Sequence, residues 1–162
     1  MWLCNRRTAV MGALALTISL GACGFTPVYQ DTNATRGAFE FSAPASRLGF
    51  VLTKQLEDRL GRANGAKYLL TLTPKIKQSG AAITPDNVTT RFTVNGAINY
   101  QITPIGSKTP AHTGRVESFT SYSATSTTIA TTTASNAAED RLMVLLADQI
   151  VSQVYAVAPT LP

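Results

Sequence analysis

Apolar residues recur along this chain with two periods. Leu48, Leu52, Leu56 and Leu60 stand four apart, which puts them on one stripe of a helix. Ser46 just before them is a capping residue, and Gly61 and Gly65 just after are stop signals. A second stripe of the same period is Ala138, Leu142, Leu146, Ile150 and Val154, widened in this reading by Leu145. Between the helices the period falls to two. In Thr90–Thr103 the residues Phe92, Val94, Ile98, Tyr100 and Ile102 share one face, interrupted only by Gly96. Arg91, Thr93, Asn95, Asn99 and Gln101 fill the other face, so one side of that strand is buried and the other is wet.

Weaker alternation predicts three more strands. Gly37–Ser42 is a short one ending before Pro44, and Lys67–Lys77 places Tyr68, Leu70, Leu72 and Ile76 on one face. Pro74 cannot donate to a ladder, so it implies an edge position or a bulge. Ser79–Asn87 and Pro104–Pro110 read as turns, and His112–Tyr122 as the fourth strand. The Ser/Thr-rich stretch Thr120–Ser135 reads as a strand end followed by a helix entry. Glu139 and Asp140 come early in that helix, where carboxylates suit the dipole. The order β-α-β-β-β-α predicts an α+β domain whose first β-α-β unit is a right-handed crossover followed by an antiparallel meander. Each helix has one apolar stripe and the best strand one apolar face. The economical packing is a four-stranded mixed sheet with two helices on one face and a polar face left open.

The first residues form a separate unit. Arg6 and Arg7 precede the apolar run Ala9–Leu20, about a dozen residues where a membrane span needs about 20, so residues 1–22 read as a signal peptide. Leu20-Gly21-Ala22-Cys23 fits a bacterial lipobox, in which the cysteine sulfur is alkylated by diacylglycerol and the chain is cut before it. Cys23 is then the lipidation site. With Cys4 lost in the leader, neither of the chain's two cysteines is left for a disulfide or a metal. Two or three acyl chains anchor stably, each buried methylene contributing about 0.8 kcal/mol. Gly24 after the cysteine, in place of an aspartate, favours the outer membrane with the protein facing the periplasm. Residues 23–36 read as a lipidated tether and 37–158 as a single domain.

Composition excludes more than it selects. Loss of Arg6 and Arg7 lowers the formal charge from +5 by two, to +3, too little and too scattered for a nucleic-acid binder. His112 is the only histidine and makes no metal site by itself. No GxSxG elbow is present, and Gly61–Gly65 ends a helix instead of opening one as a phosphate loop does. The acid pairs Glu57-Asp58 and Glu139-Asp140 fall on amphipathic helices and read as solvated charge. No enzyme and no cofactor is expected, apart from the covalent lipid.

The stretch Cys23-Gly24-Phe25-Thr26-Pro27-Val28-Tyr29 resembles the start of mature lipoproteins of the LPS-assembly family LptE. The order of elements beyond Tyr29 resembles that family too: a strand, a Leu-rich helix, a Thr-rich meander ending near Ser121-Tyr122 and an Ala-rich last helix. The resemblance implies a lipoprotein that assists assembly of the outer-membrane barrel LptD, sits in it as a plug, and binds lipopolysaccharide in transit to the outer leaflet. It also implies basic residues in the turn between the second and third strands and near the start of the last helix. Here Ser79–Asn87 and Thr125–Ala138 contain no Lys or Arg. The nearest cations are Lys75, Lys77 and Arg91, which strand pairing would gather on the polar face as a lipopolysaccharide-binding patch. The other reading of that face is a solvated surface that keeps the sheet soluble. An adaptor lipoprotein of another envelope complex, such as a lipid transporter or a secretin pilot, is the alternative function.

Overall fold

A computed structural model describes residues 35–83, 89–124 and 127–162. Its elements are β1 (Phe39–Ser42), α1 (Arg47–Leu60), β2 (Tyr68–Ile83), β3 (Thr89–Pro104), β4 (His112–Ser123) and α2 (Thr128–Val157), closed by a 3-10 turn at Ala158–Thr160. The strands form one sheet in the order β1-β2-β3-β4, with β1 parallel to β2 and the other pairs antiparallel.

α1 forms where the leucine period and the caps agree. The Ser46 hydroxyl accepts from the Gly49 amide at 3.1 Å, and Leu52, Leu56 and Leu60 are fully buried. Each such leucine contributes about 1.5–3 kcal/mol through removal from water. Gly61 ends the helix at φ 84°, in the left-handed region that a side chain disfavours, and its amide bonds to the Glu57 carbonyl. α2 runs in the same direction. Arg47 pairs with Glu139 (2.5 Å) and with Asp140, and Arg59 with Asp148 (3.4 Å), so both helices advance together along their contact.

The core lies between these helices and one face of the sheet. Leu70 and Leu72 of β2, Val94, Ile98, Tyr100 and Ile102 of β3, and Val116 and Tyr122 of β4 all point into it. Gly96 interrupts the β3 row where α2 leaves no room for a side chain. A Cβ at Gly96 would stand 2.8 Å from Leu142 Cδ2 and 3.0 Å from Leu146 Cδ1. Rings fill the ends of the slab: Phe39 stacks on Tyr68 and Phe92 on Tyr122, with centroids 5.5 Å and 5.2 Å apart. Tyr100 donates to Gln153 Oε1 at 2.6 Å, and burial pushes its phenol above the ordinary pKa. Among the described residues no buried side-chain nitrogen or oxygen lacks a partner.

The α+β reading, the element order, the packing of both helices on one face and an edge position for Pro74 are as expected, and three details differ. β2 does not stop at Lys77. Its ladder runs on through Ser79↔Thr93 and Gly80↔Phe92, then passes an irregularity to Ala82↔Arg91, so the first part of the expected turn is strand. Ser-Gly-Ala-Ala has no alternation to reveal it, because main-chain bonds to β3 hold it. Pro74 sits in register opposite Ile98 with no bulge. β1 pairs only with Tyr68–Thr71, so among the described residues that side of β2 is an edge beyond Thr71, where a missing amide costs nothing.

α2 begins at Thr128, capped by the Thr127 hydroxyl, which accepts from Ala130 N at 3.4 Å. Glu139 and Asp140 therefore lie three turns in, beyond reach of the terminal dipole, and serve Arg47 across the helix pair instead. Leu145 does not widen the buried stripe: it is 44% exposed, while Met143, Ala147 and Val151 do that work.

Candidate functional site on the open face of the sheet

Alternation along three strands builds the second face. On β2 the residues Thr73, Lys75 and Lys77 project away from the core, on β3 Asn95, Ala97 and Asn99, on β4 Arg115, Glu117 and Phe119. The ladder sets them in rows: Thr73–Asn99–Arg115, Lys75–Ala97–Glu117 and Lys77–Asn95–Phe119. Most of these residues line a shallow depression of ≈ 430 Å³. Both helices lie on the opposite side, so no element of the described residues covers this face.

The charges are unevenly matched. Arg115 Nε donates to Glu117 Oε1 at 2.5 Å, so that pair carries no net charge, with both side chains well exposed. Lys75 and Lys77 stand one pleat apart, and none of the described ion pairs includes either. Phe119 beside them is 68% exposed, an apolar plate within a polar surface.

The three cations read from the sequence separate into two groups. Lys75 and Lys77 meet in the depression. Arg91 faces the same way but sits opposite Ala82 and Ser123, four residues along β3 from Asn95, which is Lys77's partner. Four residues of strand span roughly 13 Å, so Arg91 is a separate point of positive charge near the far end of the face. Arg115 takes its place. The signal for it was available, because odd-numbered residues of His112–Tyr122 share a face, but Gly114 and Ser118 on the other face blur that alternation.

Elsewhere the described residues offer little chemistry. His112 Nε2 lies 3.5 Å from the Tyr100 hydroxyl, with no carboxylate beside it. No group of three or more His, Cys, Asp or Glu side chains suits a metal ion among the described residues. What the open face can do is meet an anionic, partly apolar surface: two lysines and an arginine for phosphates, and a phenyl ring for hydrocarbon or sugar. Cys23 and the rest of the leader and tether before Thr35, like residues 84–88 of the hairpin turn, lie outside the described residues.

Comparison with known proteins gives the fold its relatives. Residues 33–154 match the profile of a family described as lipopolysaccharide-assembly, LptE. No curated protein matches the chain. Among solved structures, a candidate lipoprotein from Caulobacter crescentus CB15 is similar at TM-score 0.67 and 22% identity, over 82% of this chain and 98% of that one. The rare lipoprotein B of Shewanella oneidensis is similar at TM-score 0.58 and 14% identity, over 75% and 96% of the two chains. A minor lipoprotein from Acinetobacter baumannii follows at TM-score 0.54 and 18% identity, over 76% and 91%. At these identities the structures share the fold.

Proposed function

The chain belongs to the lipopolysaccharide-assembly family LptE, and from that premise we propose that it acts without turnover, as a lipid-anchored plug and lipopolysaccharide contact in an LptD-type barrel. Cys23 carries the acyl chains, residues 1–22 are the leader, and residues 23–36 are the tether that holds the domain at the periplasmic side of the outer membrane. The domain then has two roles, to fill a barrel lumen and to offer passing glycolipid a polar surface.

The role as a glycolipid surface is supported by one observation. Among the described residues the sheet keeps a face free of helices, and that face gathers Lys75, Lys77 and Arg115 beside exposed Phe119, with Arg91 further along. Lipid A presents phosphates next to acyl chains, and this surface offers cations next to an aromatic ring. Well-formed charge-assisted bonds to phosphate contribute about 1.5–3 kcal/mol each, so a few suffice for selective contact without tight retention. A protein that passes a lipid onward needs that weakness.

The barrel half of the proposal is tested by purification. The full chain, tagged at its C-terminus and extracted from outer membranes, should bring down one large β-barrel protein in stable stoichiometry. Recovery of an inner-membrane transporter or a secretin instead would reject the plug and support an adaptor role. Mass spectrometry of the same sample should find the mature N-terminus at an acylated Cys23; cleavage elsewhere would reject the anchor.

A further inference from the structure

The two ends of the domain are chemically unlike. One end is built from the segments 35–38, 61–67, 104–111 and 158–162, which main-chain bonds hold together. Gly37 N donates to Leu60 O at 2.8 Å, Asn64 N to Gly37 O at 3.0 Å, Lys67 N to Ala38 O at 2.8 Å and Ile105 N to Lys67 O at 2.8 Å. The Tyr68 hydroxyl donates to the Pro162 carbonyl and closes the group. These segments carry Arg36, Arg62, Lys67 and Lys108, all exposed, and no Asp or Glu. No described ion pair includes Arg36, Lys67 or Lys108, and Arg62, 3.3 Å from Glu57, keeps 88% of its side chain exposed. Ile105 stands beside them as an apolar tip, 55% exposed. The connections at the opposite end, 43–46, 84–88 and 124–127, contain no Lys or Arg.

We propose that this basic end binds the phosphate headgroups of anionic phospholipid, in the leaflet that holds the acyl chains of Cys23. The proposal rests on the reading of Cys23 as the anchor, and the path of the chain selects the occupant. Thr35, the first described residue, lies at this end, so the tether joins the domain beside Arg36. Residues 24–34 reach at most roughly 40 Å, which keeps the basic end within that distance of the lipid surface. A tethered contact needs little affinity of its own, because the anchor supplies a high local concentration. Each cation near an anionic surface raises the docked-to-undocked ratio roughly fivefold, and an exposed apolar tip among them suits the headgroup layer. Acyl chains and a basic patch are two membrane signals that reinforce one another. In a barrel the same end stays level with the headgroups of the anchoring leaflet, and the end without cations leads into the lumen.

Labels at the two ends test it. The full-length lipoprotein is reconstituted in vesicles of phosphatidylcholine alone or with phosphatidylglycerol, and a fluorophore is attached at Ala63→Cys in the basic end or at Ala45→Cys in the other. Nitroxide on the lipid headgroups should quench the Ala63→Cys label roughly threefold or more strongly in the anionic vesicles than in the neutral ones. The Ala45→Cys label should show no such difference. Arg36, Arg62, Lys67 and Lys108 changed together to Gln should remove the difference with the thermal melt unmoved. Raised salt should remove it from the protein with all four cations in place, a readout that needs none of those substitutions. Equal quenching of the Ala63→Cys label in both vesicles would overturn the proposal, and is the result expected if an acidic protein face is the occupant. A difference that survives salt or the Gln variant would overturn it too. Flotation with neutral vesicles reads the anchor by itself, so failure at Cys23 is told apart from failure of the basic end.

Discussion

β3 (Thr89–Pro104) offers one backbone to two environments, and the contrast between its faces organises the molecule. Val94, Ile98, Tyr100 and Ile102 point into a slab closed by two helices. Asn95 and Gln101, one residue away on the same strand, point into open solvent. The buried side does the folding, and its tolerances are those of packed atoms. The open side does little for stability, so its residues are free to be chosen for contact with something else. A cation-bearing surface costs a fold least where no desolvation is asked of it.

The largest difference between the faces should appear at Ile98. Ile98→Ala should destabilise by roughly 2–5 kcal/mol, because the residue is fully buried and α2 cannot collapse onto the gap freely. Denaturant unfolding checks it, and a loss near that of a surface site would mean the helices do not cover β3. Next comes Gly96→Ala. The new methyl meets the ends of Leu142 and Leu146, so a cost of about 1–3 kcal/mol is expected from overpacking. Adding Leu142→Ala should relieve part of that cost, a coupling a double-mutant cycle reads directly.

Arg47→Ala removes the contacts to Glu139 and Asp140 of α2 and leaves Arg59–Asp148 in place. With the side chains partly exposed, the loss should be only about 0.5–1 kcal/mol and should shrink as salt is raised. Asn95→Ala on the open face should change stability by under about 0.5 kcal/mol. A cost at Asn95 comparable to that at Ile98 would erase the contrast.

Much of this was legible in the sequence wherever the signal is local. Ser46, four leucines and Gly61 specify α1 without help from the rest of the chain, and strict alternation reveals both faces of β3. Even the gap at Gly96 reads correctly as part of the buried row, although its reason, the approach of α2, needs the third dimension. What stayed hidden depends on partners far along the chain. The extension of β2 through Ser79–Ile83 is held by β3, not by its own propensities. Glu139 and Asp140 look like dipole charges until Arg47, some 90 residues earlier, is seen between them. For the site, alternation placed Lys75, Lys77 and Arg91 on the open face, but only the register could tell that Arg91 stands apart and that Arg115 joins the lysines.

In the proposed function the open face meets lipopolysaccharide. Lys75, Lys77 and Arg115 changed together to Gln in the full-length lipoprotein test it, with affinity for lipopolysaccharide measured beside the thermal melt. Glutamine keeps much of the length and the polarity of these side chains and removes their charge. At least a tenfold loss of affinity with the melt unmoved is expected, because none of the three touches the core and screening leaves each phosphate contact well below its full strength. Arg91→Gln alone should cost less, as an isolated charge at the far end of the face. An unchanged affinity with an unchanged melt would contradict the claim and leave this face as a solvated surface.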